Sequence, residues 1–187
     1  MPDSDKRSDR ELSAIRNYPL LVKRYARLVE VATDLASRLD LDSLLQRIVD
    51  AAQELTECEA ASLLMYDAQT QQLYFEAATN ELAAGVGKQT VPTESSLAGW
   101  VFTHGEPLVV DNALTDPRFF RELDMLTSFR TQSVLGVPLR TADKTLGVIE
   151  AINKRAGRFD EQDERLLQAL AAQAAIAIEN SRLFQQS

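Results

Sequence analysis

Residues 153–164 read NKRAGRFDEQDE: an Asn-Lys pair, a four-residue spacer, a Phe, three residues, then Asp-Glu. The stretch lies at the seam between a β-type run, 145–153, and a long helical pattern that starts at about Asp160. A Lys at a strand edge and an Asp opening a helix can pair across that seam. The carboxylate would also suit the positive end of the helix dipole. On the residues alone, Lys154 and Asp163 therefore read as a structural clamp between strand and helix.

Working outward, the runs 133–140 and 145–153 flank a turn at 142–144 and read as a hairpin. Further β-type runs fall at 60–66, 73–79, 89–92 and 108–111, with a short helix at 97–103. Before them, Asp40 is a natural N-cap for a helix carrying Leu44, Leu45, Ile48, Val49, Ala52 and Leu55 on one broad face, which is expected to pack on the sheet. Helix, helix, strands, short helices, hairpin and helix in that order predict an α+β domain with an antiparallel sheet. In the final helix, Ala169, Ala171, Ala172, Ala174, Ala175 and Ala177 leave room for a second helix to approach closely.

The amino-terminal segment divides in two. Residues 1–17 are mostly charged or small and are expected to form a disordered arm. From Pro19, plausible in a first helical turn, Leu21, Tyr25, Leu28, Ala32, Leu35 and Leu39 recur at alternating steps of four and three, a coiled-coil-like seam over 18–39. Residues 40–187 are expected to form one domain with its long final helix.

Composition bounds the function. With 187 residues, 45% hydrophobic and 26% charged, the chain can bury one substantial core and has little room for two. Twenty basic against 28 acidic residues give a net charge of −8 with no basic run, which argues against a nucleic-acid partner. No 18-residue apolar run and no signal-peptide pattern at Met1 is present, so the expectation is a cytoplasmic protein with no membrane partner. One Cys excludes an intramolecular disulfide.

Asn153, Lys154, Phe159, Asp163 and Glu164 resemble the Asn-Lys-Phe-Asp-Glu signature of GAF domains, most closely the cyclic-nucleotide-binding ones of phosphodiesterases and cyanobacterial-type adenylyl cyclases. The resemblance covers roughly residues 40–184. It implies a six-stranded antiparallel sheet, terminal helices on one face, and a ligand pocket under short helices on the other. It also implies a parallel homodimer built through the terminal helices.

Three places then read as ligand contacts. In PTESSLAGW, 92–100, the amides of Leu97 and Ala98 at a helix start could receive an anion, although Ser95 and Ser96 equally suit plain caps and Gly99 could simply allow close packing. In TDPRFFRELDMLTSFRTQS, 115–133, the resemblance puts ribose and phosphate contacts on Phe120, Asp124, Thr127 and Thr131; the alternative is that the Phe residues are core, the Thr residues are caps and Asp124 is surface. For base recognition it puts Ser62 and Thr79 on neighbouring strands and Glu150 on the hairpin's second strand. Thr79, where some cyclic-GMP binders carry Asp, inclines the reading toward cyclic AMP. Ser62 and Thr79 could also be ordinary strand residues.

Enzyme readings find little support. A single Cys58, placed at the end of the second helix, cannot run disulfide catalysis within one chain and precedes the pocket region a bilin thiol would need. His104, the one imidazole, sits in THGEP, which reads as a helix end with Gly105 as C′. No phosphate-binding loop, dinucleotide fingerprint, zinc spacing or nucleophile elbow occurs. The expectation is a bacterial signal-transduction module, not an enzyme, with no cofactor and no metal. It would bind a small anionic ligand, a cyclic nucleotide and cyclic AMP before cyclic GMP. The alternative is a ligand-free dimerisation or docking module for a signalling protein such as a histidine kinase. With no output domain expected after Ser187, the expectation is either action in trans or a vestigial pocket.

Overall fold

The central hairpin is the axis of the molecule. In the computed structural model, which describes residues 3–79, 82, 87, 89–126 and 129–186, the hairpin strands are β5 (Val134–Arg140) and β6 (Thr145–Lys154). Four more strands complete an antiparallel sheet: β1 (Cys58–Asp67), β2 (Gln72–Ala78), β3 (Thr90–Pro92) and β4 (Leu108–Val110). Their order is β3-β2-β1-β6-β5-β4, so β1 and β6 lie side by side at the centre. The fold is α+β, as read from the chain.

Strand alternation separates two cores. Ala61, Leu63, Met65, Leu135, Val137, Ile149 and Ala151 point to the helical face. There they meet α2 (Leu41–Thr56) and α5 (Glu161–Gln186), whose Leu44, Ile48, Leu166, Leu167 and Leu170 are fully buried. The opposite parity, Ala60, Leu64, Val148 and Ile152, packs under α3 (Leu97–His104) with Ala98 and Val101. A 3-10 turn (Ala113–Thr115) and a short α4 (Glu122–Leu126) roof this second face.

Helix ends carry the expected chemistry. Asp40 Oδ2 accepts the Ser43 amide at 2.8 Å and caps α2. At α5, Asp160 and Asp163 cap each other's backbone: Asp160 Oδ1 takes the Asp163 amide at 2.9 Å, and Asp163 Oδ2 takes the Asp160 amide at 3.0 Å. Among the described residues no helix is long and apolar enough to cross a membrane.

The structure departs from expectation at the amino terminus. In place of a disordered arm over 1–17, α1 runs unbroken over Asp3–Ser37, and Pro19 lies inside it. Exposed helix-forming residues, with Arg7 and Glu11 3.7 Å apart at i,i+4, extend the helix without any core to bury. The seam of Leu21, Tyr25, Leu28, Ala32, Leu35 and Leu39 also divides. Leu28 and Leu35, with Val31, are buried against α2 and α5 of the same chain, whereas Tyr25 and Leu39 face solvent. The inward stripe is rotated so that Arg24, Leu28, Val31 and Leu35 share it.

Candidate functional site

A cavity of about 60 Å³ opens on the sheet face opposite α2 and α5. Its floor is the strand face of even parity at the sheet centre. Ser62 of β1 and Glu150 of β6 are direct cross-strand partners, with Gly136 of β5 partnering Glu150 on the far side. Phe75, Leu82, Val91, Val134 and Ile152 make the walls apolar, Ser96, Leu97 and Ala98 bring the start of α3, and Phe119, Phe120, Asp124 and Thr131 close the roof. A mostly apolar concavity with a few convergent polar groups is the usual form of a small-molecule site.

Two of those polar groups are unusual. Ser62 is fully buried, and among the described residues its hydroxyl has no hydrogen-bond partner. Such a group ordinarily costs folding free energy unless something meets it. Glu150 is half-buried, and burial pushes its carboxyl up to about 7.

The start of α3 is both a cap and a source of free amides. Ser96 Oγ accepts the Gly99 amide at 2.9 Å, and the Ser96 carbonyl accepts the Trp100 amide at 3.0 Å. Those bonds leave the first-turn amides of Leu97 and Ala98 at the cavity wall, where an oxyanion could be received. Gly99 is needed for close approach, since a Cβ there would overlap the Thr93 carbonyl.

The roof is held by its own side chains. Thr131 donates from its amide to Asp124 Oδ2 at 2.8 Å and from its hydroxyl to Asp124 Oδ1 at 2.9 Å. Phe129 is buried in the second core, and Phe119 and Phe120 are half-buried at the cavity. Thr127 lies outside the described residues. The remaining polar lining residues carry no cation, so the described cavity holds two carboxyl groups and no basic side chain.

Thr79 is placed differently from the base contact that the resemblance implied. It is buried, its Oγ1 accepts the Ala61 amide at 2.9 Å and donates to the Ala61 carbonyl at 3.4 Å, and it is not among the lining residues. The hydroxyl extends the β1–β2 pairing one residue past the end of β2, beyond the register shift between Leu63 and Leu64. Cys58 is the first residue of β1 rather than a helix end. It is fully buried, its thiol pushed up by that burial, and its Sγ accepts from Thr56 and donates to the Ala60 carbonyl. His104 stacks on Trp100 at the end of α3, away from the cavity lining.

Behind the cavity, the 153–164 segment does two jobs. Asn153, at φ 61°, binds the roof: its Oδ1 accepts the amides of Gln132 and Ser133 at 2.7 and 3.1 Å, and its Nδ2 donates to the Arg130 carbonyl at 2.8 Å. Lys154 binds the helices: Nζ donates to Asp163 Oδ1 at 3.0 Å and to the Thr56 carbonyl at 2.8 Å. Phe159 is buried in the helical core, and the Glu164 amide closes the first bond of α5 on the Asp160 carbonyl. Sequence reasoning missed Arg24, whose Nη1 lies 3.6 Å from Asp163 Oδ1 and whose Nη2 donates to Glu57 at 2.8 Å. Its spacing from Leu28, Val31 and Leu35 on α1 was the available signal.

A model of the GAF domain matches residues 40–178. The chain belongs to the GAF-domain family. Among curated proteins, this GAF domain is 31% identical over 167 residues to dual 3',5'-cyclic-AMP and -GMP phosphodiesterase 11A of Takifugu rubripes, covering 83% of the chain and 18% of that protein. It is 27% identical over 155 residues to probable 3',5'-cyclic phosphodiesterase pde-5 of Caenorhabditis elegans, covering 78% of the chain and 21% of the relative. The chain thus spans about a fifth of the length of these relatives. The GAF domain of a phosphoenolpyruvate-protein phosphotransferase from Coxiella burnetii superposes with a TM-score of 0.79 at 20% identity, over 89% of this chain and 99% of that one. Signalling and regulation are the business of this family, and the six-stranded curled sheet is its fold.

Proposed function

We propose that this GAF domain is a non-catalytic sensor module that binds a 3',5'-cyclic nucleotide in the cavity over β1 and β6. The observation that carries the reading is the orphaned Ser62 hydroxyl beside Glu150 on the floor of an otherwise apolar cavity. A ligand edge that meets Ser62 removes a standing desolvation cost. The cyclic phosphate would sit at the amides of Leu97 and Ala98, which need no basic side chain to hold it. From the roof Asp124 would accept from a ribose hydroxyl and Thr131 would donate to a ribose or phosphate oxygen, and Phe119 and Phe120 would cover the base. The phosphodiesterase relatives support this ligand class. Thr79, held on the Ala61 backbone outside the cavity lining, gives no ground for choosing adenine, so the reading stays with a 3',5'-cyclic nucleotide as a class.

Relay follows from connectivity. Glu150 and the Asn153-Lys154 pair share β6, and Lys154 reaches α5 through Asp163, which Arg24 of α1 also approaches. A ligand that binds one roof position better than another would bias the packing of α1 on α5. A second reading, a dimerisation or docking unit for a signalling partner, is favoured by one observation. Ile15, Tyr18, Val22, Tyr25 and Val29 form a heptad-spaced exposed stripe on α1, with Ile176 and Leu183 exposed on α5.

Thermal unfolding of the full chain with cyclic AMP, cyclic GMP and cyclic dinucleotides tests the sensor reading. Ligand at one hundred times its Kd adds about 2.7 kcal/mol, a midpoint rise of roughly 5 to 10 °C at this size. A selective rise supports the sensor. No rise with any of them, and no compound released on denaturation, favours the docking unit.

A further inference from the structure

We propose that Arg118 is the positioning residue of the cavity roof: forked onto Asp116 and laid over Trp100, it latches the 116–120 segment onto α3 and sets how fast a ligand enters. The inference rests on the sensor reading above, because what it controls is access to that same site.

The cavity as it stands is too small for the ligand class its lining suits. It holds about 60 Å³, room for a few water molecules, against the roughly 300–1,000 Å³ of a site that encloses a small molecule. A wall must therefore move. The floor is fixed, because β1 is paired with β2 on one side and with β6 on the other. The α3 wall is fixed too: Ser96 caps its start, Gly105 at φ 66° ends it by donating to the Val101 carbonyl, and a Cβ at Gly99 would overlap the Thr93 carbonyl. Residues 116–120 belong to no strand or helix, yet they carry Phe119 and Phe120 into the cavity wall. They are the part of the wall with least to hold it in place.

Arg118 supplies a tie from that segment to α3. Asp116 Oδ1 accepts both the Arg118 amide and Nε at 2.9 Å, and Asp116 Oδ2 accepts Nη2 at 2.7 Å. Three bonds to one carboxylate leave the guanidinium plane little freedom and carry its counter-charge with it. Arg118 Cζ lies 5.3 Å from the centre of the Trp100 ring, within the range at which a cation is drawn to an aromatic face. Trp100 is itself anchored on α3. Its ring stacks on His104 with centres 4.1 Å apart and planes 15° apart, and it packs against the second core. The Arg118 side chain is 35% exposed and that of Asp116 12%, so water can reach the latch and compete for it when the segment opens. Arg118 directly precedes the two wall rings, and release of its guanidinium frees the backbone that carries them.

The test compares the full-length wild type with Arg118→Gln, which loses both fork and stack, and with Arg118→Lys, which keeps the charge without the planar fork. Hydrogen exchange without ligand is read first. Amides of 113–120 should exchange faster in Arg118→Gln, with those of β1 and β6 unchanged and Arg118→Lys in between. Association of cyclic AMP and of cyclic GMP is then followed by stopped flow through the emission of Trp100, the chain's one tryptophan. Association should be about two- to thirtyfold faster in Arg118→Gln, the range that loss of one cation–ring contact gives, and less so in Arg118→Lys. A residue that only braced the roof would weaken binding through faster dissociation and leave association alone. Faster exchange with unchanged association therefore overturns control of entry, and unchanged exchange overturns the latch itself; either leaves the nucleotide reading standing. Failure of both nucleotides to bind all three chains overturns the nucleotide reading, and the exchange measurement then decides the latch without it.

Discussion

Thr131 satisfies both oxygens of Asp124, through its amide at 2.8 Å and its hydroxyl at 2.9 Å, and so ties α4 to the chain that enters β5. Two residues that the family resemblance assigns to the ligand are, in this structure, each other's partners. The roof is thus preorganised by the same groups that would contact a nucleotide, and binding must either share these bonds or exchange them.

Removing either partner should therefore cost the same interaction. Asp124→Ala and Thr131→Ala are each expected to destabilise the fold by about 1–2 kcal/mol, and the double variant by little more than either alone. Urea unfolding of the three variants measures the coupling. Simple additivity would show that the two residues act independently in solution.

The Lys154–Asp163 pair should be far more costly to break. Lys154 is 7% exposed at its side chain and Asp163 0%, so Lys154→Met strands a buried carboxylate with Arg24 3.6 Å away as its remaining counter-charge. A loss of about 3–5 kcal/mol is expected, with much of it recovered in Lys154→Met/Asp163→Leu, where no charge is left unpaired. Chemical denaturation of the single and double variants decides this; equal stability of the two would mean that the buried charge is not the cause.

Glu150 also makes a prediction about stability without ligand. Its folded carboxyl at about 7 stands above the ordinary 4.5, so the native state holds a proton that the unfolded chain has released. Stability from this group is fully present below about pH 4.5, falls as pH rises, and is gone above about pH 7, a loss on the order of 2–3 kcal/mol. Denaturation midpoints of wild type minus Glu150→Gln across that window isolate the contribution, since Gln cannot ionise. A difference that does not change with pH would show that the carboxyl titrates normally.

On α1, Val22 and Val29 are 50% and 65% exposed and belong to the heptad-spaced stripe. Val22→Glu/Val29→Glu should leave unfolding of the monomer within about 0.5 kcal/mol of wild type, because neither side chain belongs to a buried core cluster. If the stripe is the homodimer interface, the same variant should sediment at half the mass of wild type at equal concentration. An unchanged mass would place any interface elsewhere.

Much of the architecture was legible along the chain because it is written in local periodicity. The alternation in β1 and β6 and the broad apolar face of α2 each report on their own neighbours within a few residues. The Asp40 cap and the Lys154-to-Asp163 spacing are equally short-range. Where the signal was local but ambiguous, the reading went astray. A seam through Leu21 to Leu39 and a stripe through Arg24, Leu28, Val31 and Leu35 differ by a fraction of a turn, and only packing against α2 and α5 chooses between them.

The site itself depends on partners far apart in sequence. That Ser62 lies against Glu150, and Thr79 does not reach the cavity, follows from register: a bulge between Leu63 and Leu64 sets how β2 meets β1, and a one-residue slip would reverse every side chain. Arg24 approaches Asp163 across 139 positions of sequence, a distance no spacing rule spans. Residue types and their short-range order thus determined the family, the strands and helices, and which groups could do chemistry. Tertiary structure alone decided which of those groups share a wall and which lose their hydrogen bonds to the backbone, because burial and pairing are properties of the packed sheet and not of the chain.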